Sequence, residues 1–499
     1  MPLEAFVVRR GRATGPDRAE IKVTIIGGGA LGWTPSIVTD LALNKHLGGH
    51  IVLCDIDSVP LAIMKRYCHA IVTHRDGGGR FCLSATRDRR AALRGADFVV
   101  ITISVGGLAM MAHDLRIPRT YGIIQSVGDT VGPGGLFRGL RNVPVFRRIA
   151  EDILRYCPRA WVINYTNPMT VLTRTLTKHG VKAIGCCHEV FGVQDLIAEL
   201  ANQDLGRKDL TRRDVETVVT GINHCTVITQ ATVAGHDALE MVRRYLRRPG
   251  VVRRYGPGEL DRAEGLFARH QIKLELFRRY GVLGAAGDRH LAEFFPGYLT
   301  PKTLEGNRWG VRVTTVEERV RGKEHDLAQC RARMQDLRGL ARRPLHPSGE
   351  EAGDIMACLC GRGRMKTNVN RPNVGQVSNL PAEVVVETNA WLTHDRVEPI
   401  CSGEIPRGLL PWYVRHVTNQ ESIVEAALSG DRDLAFQVLL NDPLVTDHDD
   451  AEKMFKQMLA AQADYLPAFF RYRKVRLPRR DTTKLVAIHG AIAAGVAYG

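Results

Sequence analysis

The chain has 499 residues, 69 Lys plus Arg against 53 Asp plus Glu, a net charge of +16, and 44% hydrophobic but only 6% aromatic residues. That length leaves room for two to four domains of about 100–200 residues or for one large α/β body; the composition excludes a wholly disordered chain, and 49 glycines without a three-residue period exclude collagen. No apolar run approaches the roughly eighteen residues of a membrane span, and the most apolar tail, 486–498, is interrupted by His489, so no membrane partner is expected.

Residues 1–20 read as a loose tail, after which regular alternation begins. A β-branched run at 21–26 ends in Gly27, Gly28 and Gly29, and a helix follows to about Asn44, with Thr34 and Pro35 placed as an N-cap and first helical residue. Further strands are predicted at 51–55, weakly at 80–85, and then at 97–104, 160–164 and 182–187, with helices near 138–156, 169–178 and 193–201. Strands that are apolar throughout and separated by helices predict a Rossmann-like, doubly wound and mostly parallel sheet, whose ligands lie beyond the carboxyl ends of its strands. Beyond about residue 205 the alternation fades into helical stretches (263–280, 316–341, 420–440 and 451–470) and short β-rich pieces such as 382–387. The expected organisation is a dinucleotide-binding domain at 21–205, an α+β C-terminal domain at 206–480 that completes the active site, and a tail at 481–499.

Basic clusters at 243–254, 331–343 and 471–480 are mixed with apolar or acidic residues and contain only Tyr245 and Tyr472 as aromatics, which predicts solvated helix faces and no nucleic-acid partner. Eleven cysteines, an odd number spread through the chain, predict reduced thiols, and residues 1–20 hold no signal-like apolar run; a cytoplasmic location is expected.

Four constellations carry chemistry. Gly27, Gly29 and Gly32 follow a strand and open a helix, and Asp55 closes the next strand, the pattern that brings a pyrophosphate to backbone N–H groups and a ribose hydroxyl to a carboxylate. Polar residues cluster after the other strands: Ser104 to Gly107, the glycine-rich stretch from Val127 through Asp129 to Gly135, Asn164 to Pro168, and Cys187 with His188 and Glu189. Each suits an ordinary turn or helix entry, and their convergence on one rim argues for an active site. Cys187 and His224 read on spacing alone as a buried thiol and a core histidine, with the alternative of two ligands of an open transition-metal site. Last, Asp288, Arg289, His290 and Glu293 precede Phe294, Phe295 and Pro296, which reads either as a carboxylate beside a positioning arginine or as an ion pair at a helix start.

With these motifs in place, the chain resembles the NAD- and metal-dependent glycosidases of glycoside hydrolase family 4. The resemblance runs from about Ile21 to Pro443 and rests on Gly27 to Gly29 with Thr34 and Pro35, Val105 to Leu108, Asp114 with Arg116 and Pro118, Gly132 to Gly135 with Gly139 and Arg141, Asn164 to Pro168, Cys187 with His188, Gly221 with Asn223 and His224, Asn379 to Pro381, and Val424 to Ala427 with Asp442 and Pro443. It implies NAD and a divalent metal, usually manganese, held by Cys187 and His224; Gly27, Gly29, Gly32, Asp55 and Ser104 at the dinucleotide; and Asn167, Asp129 and Arg289 at the sugar. It also implies oxidation of the sugar at C3, loss of the C2 proton, elimination of the leaving group, addition of water and re-reduction. Histidine after the metal-binding cysteine and the run from Gly287 to His290 resemble the branch acting on unphosphorylated α-glucosides, α-galactosides or α-uronides. Asp288 is then the expected base, with Tyr298 in reserve, and His188 the expected acid. Relatives of this kind are commonly dimers or tetramers, so a homo-oligomer is expected. The competing expectation is an NAD-dependent 2-hydroxyacid dehydrogenase of the lactate or malate type, which shares the nucleotide-binding half and the Asn-Pro step and needs no metal.

Overall fold

A computed structural model describes residues 18–256, 258–304 and 308–470; the expected C-terminal tail, most of the N-terminal one and the basic cluster at 471–480 lie outside them. Thirteen strands are present in this part: β1 Ala19–Ile26, β2 Leu47–Cys54, β3 Phe81–Thr86, β4 Phe98–Ile101, β5 Trp161–Asn164, β6 Ala183–Gly185, β7 Val215–Ile222, β8 Cys225–Val233, β9 His236–Asp237, β10 Leu283–Gly284, β11 Met365–Pro372, β12 Val385–Thr393 and β13 Arg396–Pro399. Nine form one sheet in the order β13-β12-β11-β6-β5-β4-β1-β2-β3. From β6 to β3 every pairing is parallel, while β11 joins β6 antiparallel and β12 and β13 continue antiparallel. The C-terminal half thus extends the sheet that the N-terminal half begins.

Both faces of this sheet are covered, which is why its central strands are apolar without alternation. In β4, Val99 and Ile101 enter one core with Phe137, Leu140, Ile423 and Met458, while Phe98 and Val100 enter the opposite core with Ile37, Met64 and Ile355. Helices Gly132–Tyr156, Met169–Lys178, Leu410–Ser429 and His448–Ala461 cover the first face; Trp33–Leu43, Ser58–Val72 and Ala352–Leu359 cover the second. No described helix is long and apolar enough to cross a membrane.

Three local expectations are corrected. The first helix begins at Trp33 with Gly32 as its N-cap and no side-chain cap. Thr34 lies inside it and its hydroxyl donates to the Gly27 carbonyl at 3.4 Å, so Thr34 ties the helix to the glycine turn instead of capping it. Gly132 to Gly135, read as a turn before a helix near 138–156, form the first turn of helix Gly132–Tyr156, where a Cβ on Gly135 would collide with the Thr130 carbonyl. The stretch at 263–280 is helical only over Gln271–Tyr280.

A second sheet, β10-β8-β7 with β9 on β8, stands beside the carboxyl ends of the main strands. Strands β7 and β8 are joined by Asn223 and His224 alone, a two-residue hairpin in which His224 takes φ 65°. This tight turn fixes the imidazole toward the rim.

Candidate active site

A cavity of about 580 Å³ opens at the rim. Its lining brings together Asn167, Cys187, His188, His224, Asp288 and Arg289 from the sequence expectations. His290 and Glu189 line it as well; both lie within quoted motifs but had been given no role. Tyr298 is not among the lining residues; it packs edge-on against Trp309, with centroids 4.7 Å apart, and burial pushes its phenol to about 12.

One ligand atom each from Asp129, His224 and His290 lies within 4.8 Å of the others. Asp129, expected at the sugar, therefore stands with two imidazoles. Its Oδ1 accepts from the Thr130 hydroxyl at 2.7 Å and its Oδ2 from the Asn167 amide at 3.1 Å. Burial opposes its ionisation, but the positive groups facing it, His290 and Arg138 among them, hold the carboxyl well below its ordinary value. His224 is buried, and its Nδ1 meets the Thr130 hydroxyl at 2.8 Å, which fixes the ring and leaves Nε2 for the cavity. Burial, reinforced by His290, lowers it to about 3, so the ring is the neutral form that a cation takes. The His290 ring stacks on it with centroids 3.7 Å apart.

Cys187 lines the same cavity without being one of the three. Burial, with Glu387 and Glu189 nearby, pushes its thiol well above the ordinary value. Glu387, buried in β12, accepts from the amides of Asn223 at 3.1 Å and Asn370 at 3.0 Å, and burial lifts it to about 7. An acid closing the apolar run 384–386 was the available signal for this residue. Carboxylate, two imidazoles and a thiol make a donor set suited to one divalent transition cation, and the buried Asn167 Oδ1 at the same cavity lacks any protein partner among the described residues.

His188 forms the N-cap of helix Glu189–Leu205 and pairs through Nδ1 with Glu350 at 3.0 Å. That bond raises its pKa against the effect of burial. Asp288 opens helix Asp288–Phe294 and is more committed than its motif foretold. Its Oδ2 accepts from the Ile272 N–H at 2.6 Å, and its Oδ1 from the Lys273 N–H at 3.3 Å and the Lys273 ammonium at 3.0 Å. Three of the roughly four lone-pair positions of a carboxylate are thereby taken.

The glycine turn lies at the carboxyl end of β1. Gly27 takes φ 95°, the N–H groups of Gly27 and Gly28 donate to the Cys54 carbonyl at 2.9 and 3.0 Å, and the Gly29 N–H donates to Asp55 Oδ2 at 2.9 Å. A Cβ on Gly32 would meet nothing within 4 Å, so the helix start faces open space with its N–H groups uncapped by any side chain. This is a cradle of the kind that holds a pyrophosphate. Ser104 follows β4, the strand next to β1, and so lies on the same rim.

The model of the "Family 4 glycosyl hydrolase" matches residues 22–203, and that of the "Family 4 glycosyl hydrolase C-terminal domain" matches 219–445. The chain belongs to glycosyl hydrolase family 4. As a member of this family the protein is a glycosidase, and the dehydrogenase expectation is set aside by a match that covers both halves. It is 43% identical to an α-galacturonidase of Bacillus subtilis (strain 168) over 88% of this chain and 97% of the relative, and 40% identical to one of Thermoanaerobacter italicus over 90% and 98%. The crystal structure of a putative glucosidase from Bacillus subtilis superposes with a TM-score of 0.80 at 44% identity, covering 88% of this chain and all of that one. A 6-phospho-α-glucosidase from gut microorganisms, solved in complex with NAD and Mn2+, shares the fold with a TM-score of 0.74 at 20% identity.

Proposed function

We propose that this family 4 glycosidase hydrolyses α-galacturonides with NAD and a divalent cation, Mn2+ by preference. The observation that carries the reading is the convergence of Cys187, His188, His224, Asp288 and His290 on one cavity; the choice of sugar is supported by α-galacturonidases at 43% and 40% identity against 29% for an α-galactosidase.

When bound, NAD supplies oxidation and re-reduction at sugar C3, and the cation supplies Lewis-acid polarisation of the neighbouring oxygens. Gly27, Gly29 and Gly32 seat the dinucleotide, with Asp55 and Ser104 at its ribose and nicotinamide side. His224, His290, Asp129 and Cys187 hold the cation, so Asp129 serves the cation and not the sugar. Asn167 directs its unpartnered Oδ1 at a sugar hydroxyl and Arg289 contacts the rest of the ring. Asp288 accepts the C2 proton at its one remaining lone pair, with the Lys273 ammonium beside it. His188, held by Glu350, donates a proton to the leaving oxygen.

The supporting chain organisation is a nucleotide-binding unit at 21–205 and a substrate unit at 206–480, in a homo-oligomer. Eleven cysteines, none paired, support a reducing, cytoplasmic setting. A panel of 4-nitrophenyl α-glycosides, run with and without Mn2+, NAD+ and a thiol reductant, tests the function. Cleavage of the galacturonide that needs all three, with no net NADH, is expected; accumulation of NADH without glycoside cleavage would refute it.

A further inference from the structure

The cavity is lined by Arg269, Arg289, Arg312 and Arg319, more positive charge than its acids balance. Asp288 is matched by Lys273 at 3.0 Å, and Arg312 is paired with Asp261. Arg269, Arg289 and Arg319 have no carboxylate within 4 Å among the described residues. The three acids that act on Arg289, namely Glu318, Glu293 and Glu189, are engaged by backbone. Glu318 accepts from the Thr315 N–H at 3.1 Å, Glu293 from the Val127 and Gly128 N–H groups at 2.8 Å, and Glu189 from the Gly287 N–H, while Glu317 pairs with Arg116.

One carbonyl ties Arg289 to the segment that leads into the helix carrying Arg319. The Ser126 carbonyl accepts from the Arg289 guanidinium at 3.4 Å and from the Thr314 N–H at 2.8 Å, and the Ser126 hydroxyl donates back to the Arg289 carbonyl. Thr314 leads directly into helix Val316–Gln335, whose first turns carry Arg319. Arg289 therefore enters from one wall and Arg319 from the adjoining one. Desolvation and then the Arg319 charge lower the pKa of Arg289. Both side chains are exposed at the cavity and paired with no carboxylate among the described residues, free to take an anionic ligand, and the planar fork of arginine matches a carboxylate.

We infer that Arg289 and Arg319 form a grip for the C6 carboxylate of the sugar and set the preference for a uronide over a neutral glycoside. This rests on the glycosidase reading above and assigns its specificity to two side chains.

The test uses the holoenzyme with Mn2+, NAD+ and reductant, comparing 4-nitrophenyl α-galacturonide with 4-nitrophenyl α-galactoside in wild type, Arg289→Gln, Arg289→Lys and Arg319→Gln. Loss of a charged hydrogen-bond pair predicts kcat/KM for the galacturonide lower by about 10- to 100-fold in each Gln variant, mostly through KM; kcat/KM for the galactoside is unchanged or raised in Arg319→Gln and falls by a smaller factor than for the galacturonide in Arg289→Gln. Arg289→Lys, which keeps the charge and loses the fork, recovers part of the loss. Arg319 is exposed, so its variant tests the grip without disturbing the fold. Equal loss on both substrates, or loss on neither, would overturn the grip. If wild type cleaves no glycoside, the functional reading falls while calorimetry still decides the grip. Wild type must then bind D-galacturonate at least about tenfold more tightly than D-galactose, and Arg319→Gln must abolish that margin. Equal binding of the two sugars, or tighter binding of galactose 6-phosphate than of galacturonate, would refute the carboxylate assignment.

Discussion

The Lys273 ammonium stands 3.0 Å from Asp288 Oδ1, with the two side chains only 1% and 3% exposed, so the cavity's floor carries a closed ion pair between two helix starts. The backbone N–H groups of Ile272 and Lys273 bind the same carboxylate, so the pair also joins helix Gln271–Tyr280 to helix Asp288–Phe294.

Two variants separate the structural and chemical sides of that pair. Asp288→Asn keeps the shape and removes the proton acceptor, and should lower kcat by at least about 100-fold while the protein stays folded, measured by turnover beside circular dichroism. Lys273→Met leaves an unpaired buried carboxylate and should cost about 3–5 kcal/mol in denaturant unfolding. Full activity in Asp288→Asn would remove it from the base role.

The cation site gives a graded expectation. Replacing His224 or His290 by Ala should each weaken Mn2+ binding by about 10- to 100-fold in calorimetry, and Thr130→Val, which removes the hydroxyl orienting His224 at 2.8 Å, should weaken it by about 10-fold. Cys187→Ala should abolish turnover while leaving the fold intact. Unaltered Mn2+ affinity in His290→Ala would exclude that ring as a ligand.

Much of this arrangement was legible in the residues. The apolar run of β4, the glycines after β1 and the Cys187-His188 step foretold the doubly wound sheet and the rim where the cavity lies. Strands β7, β8 and β11 escaped because their burial is set by packing against other elements, helices Glu189–Leu205, Ala238–Leu246 and Gln271–Tyr280 on β7 and β8 and Met169–Lys178 on β11, which local pattern does not report. The partners of the site residues escaped for another reason. Lys273 lies 15 residues from Asp288 and Glu350 lies 162 residues from His188, and each is drawn in by the chain's course rather than by spacing. Asp114 and Arg141 show the same effect: both belong to the recognised motifs, yet they form a buried bidentate pair, 2.9 Å from Arg141 Nη1 to Oδ1, completed by Gln462 at 2.9 Å. They brace the fold beside the site.

Asp114→Ala should therefore act on stability, stranding the Arg141 charge at a cost of about 3–5 kcal/mol in urea unfolding. Any variant protein that remains folded should bind NAD and Mn2+ as wild type does.

Glu293 links stability to pH. Its Oε1 accepts from the Val127 and Gly128 N–H groups at 2.8 Å, its Oε2 has no partner, and burial raises the carboxyl from 4.5 to about 8. The folded state thus holds a proton that the unfolded state releases, and this group's contribution to stability is complete below pH 4.5 and declines as pH rises to about 8, by at most about 1.4 kcal/mol per pH unit. Glu293→Gln mimics the protonated acid and should flatten that part of the profile in urea unfolding from pH 5 to 8; an unchanged slope would show that Glu293 is ionised when folded.

The most direct measurement of the central claim is hydrolysis of 4-nitrophenyl α-galacturonide in D2O with Mn2+ and NAD+, followed by NMR of the released sugar. Removal of the C2 proton and its return from solvent predict deuterium at C2 of the galacturonate and no net NADH. Galacturonate that retains its C2 hydrogen, or cleavage that proceeds without NAD+ and cation, would contradict the account.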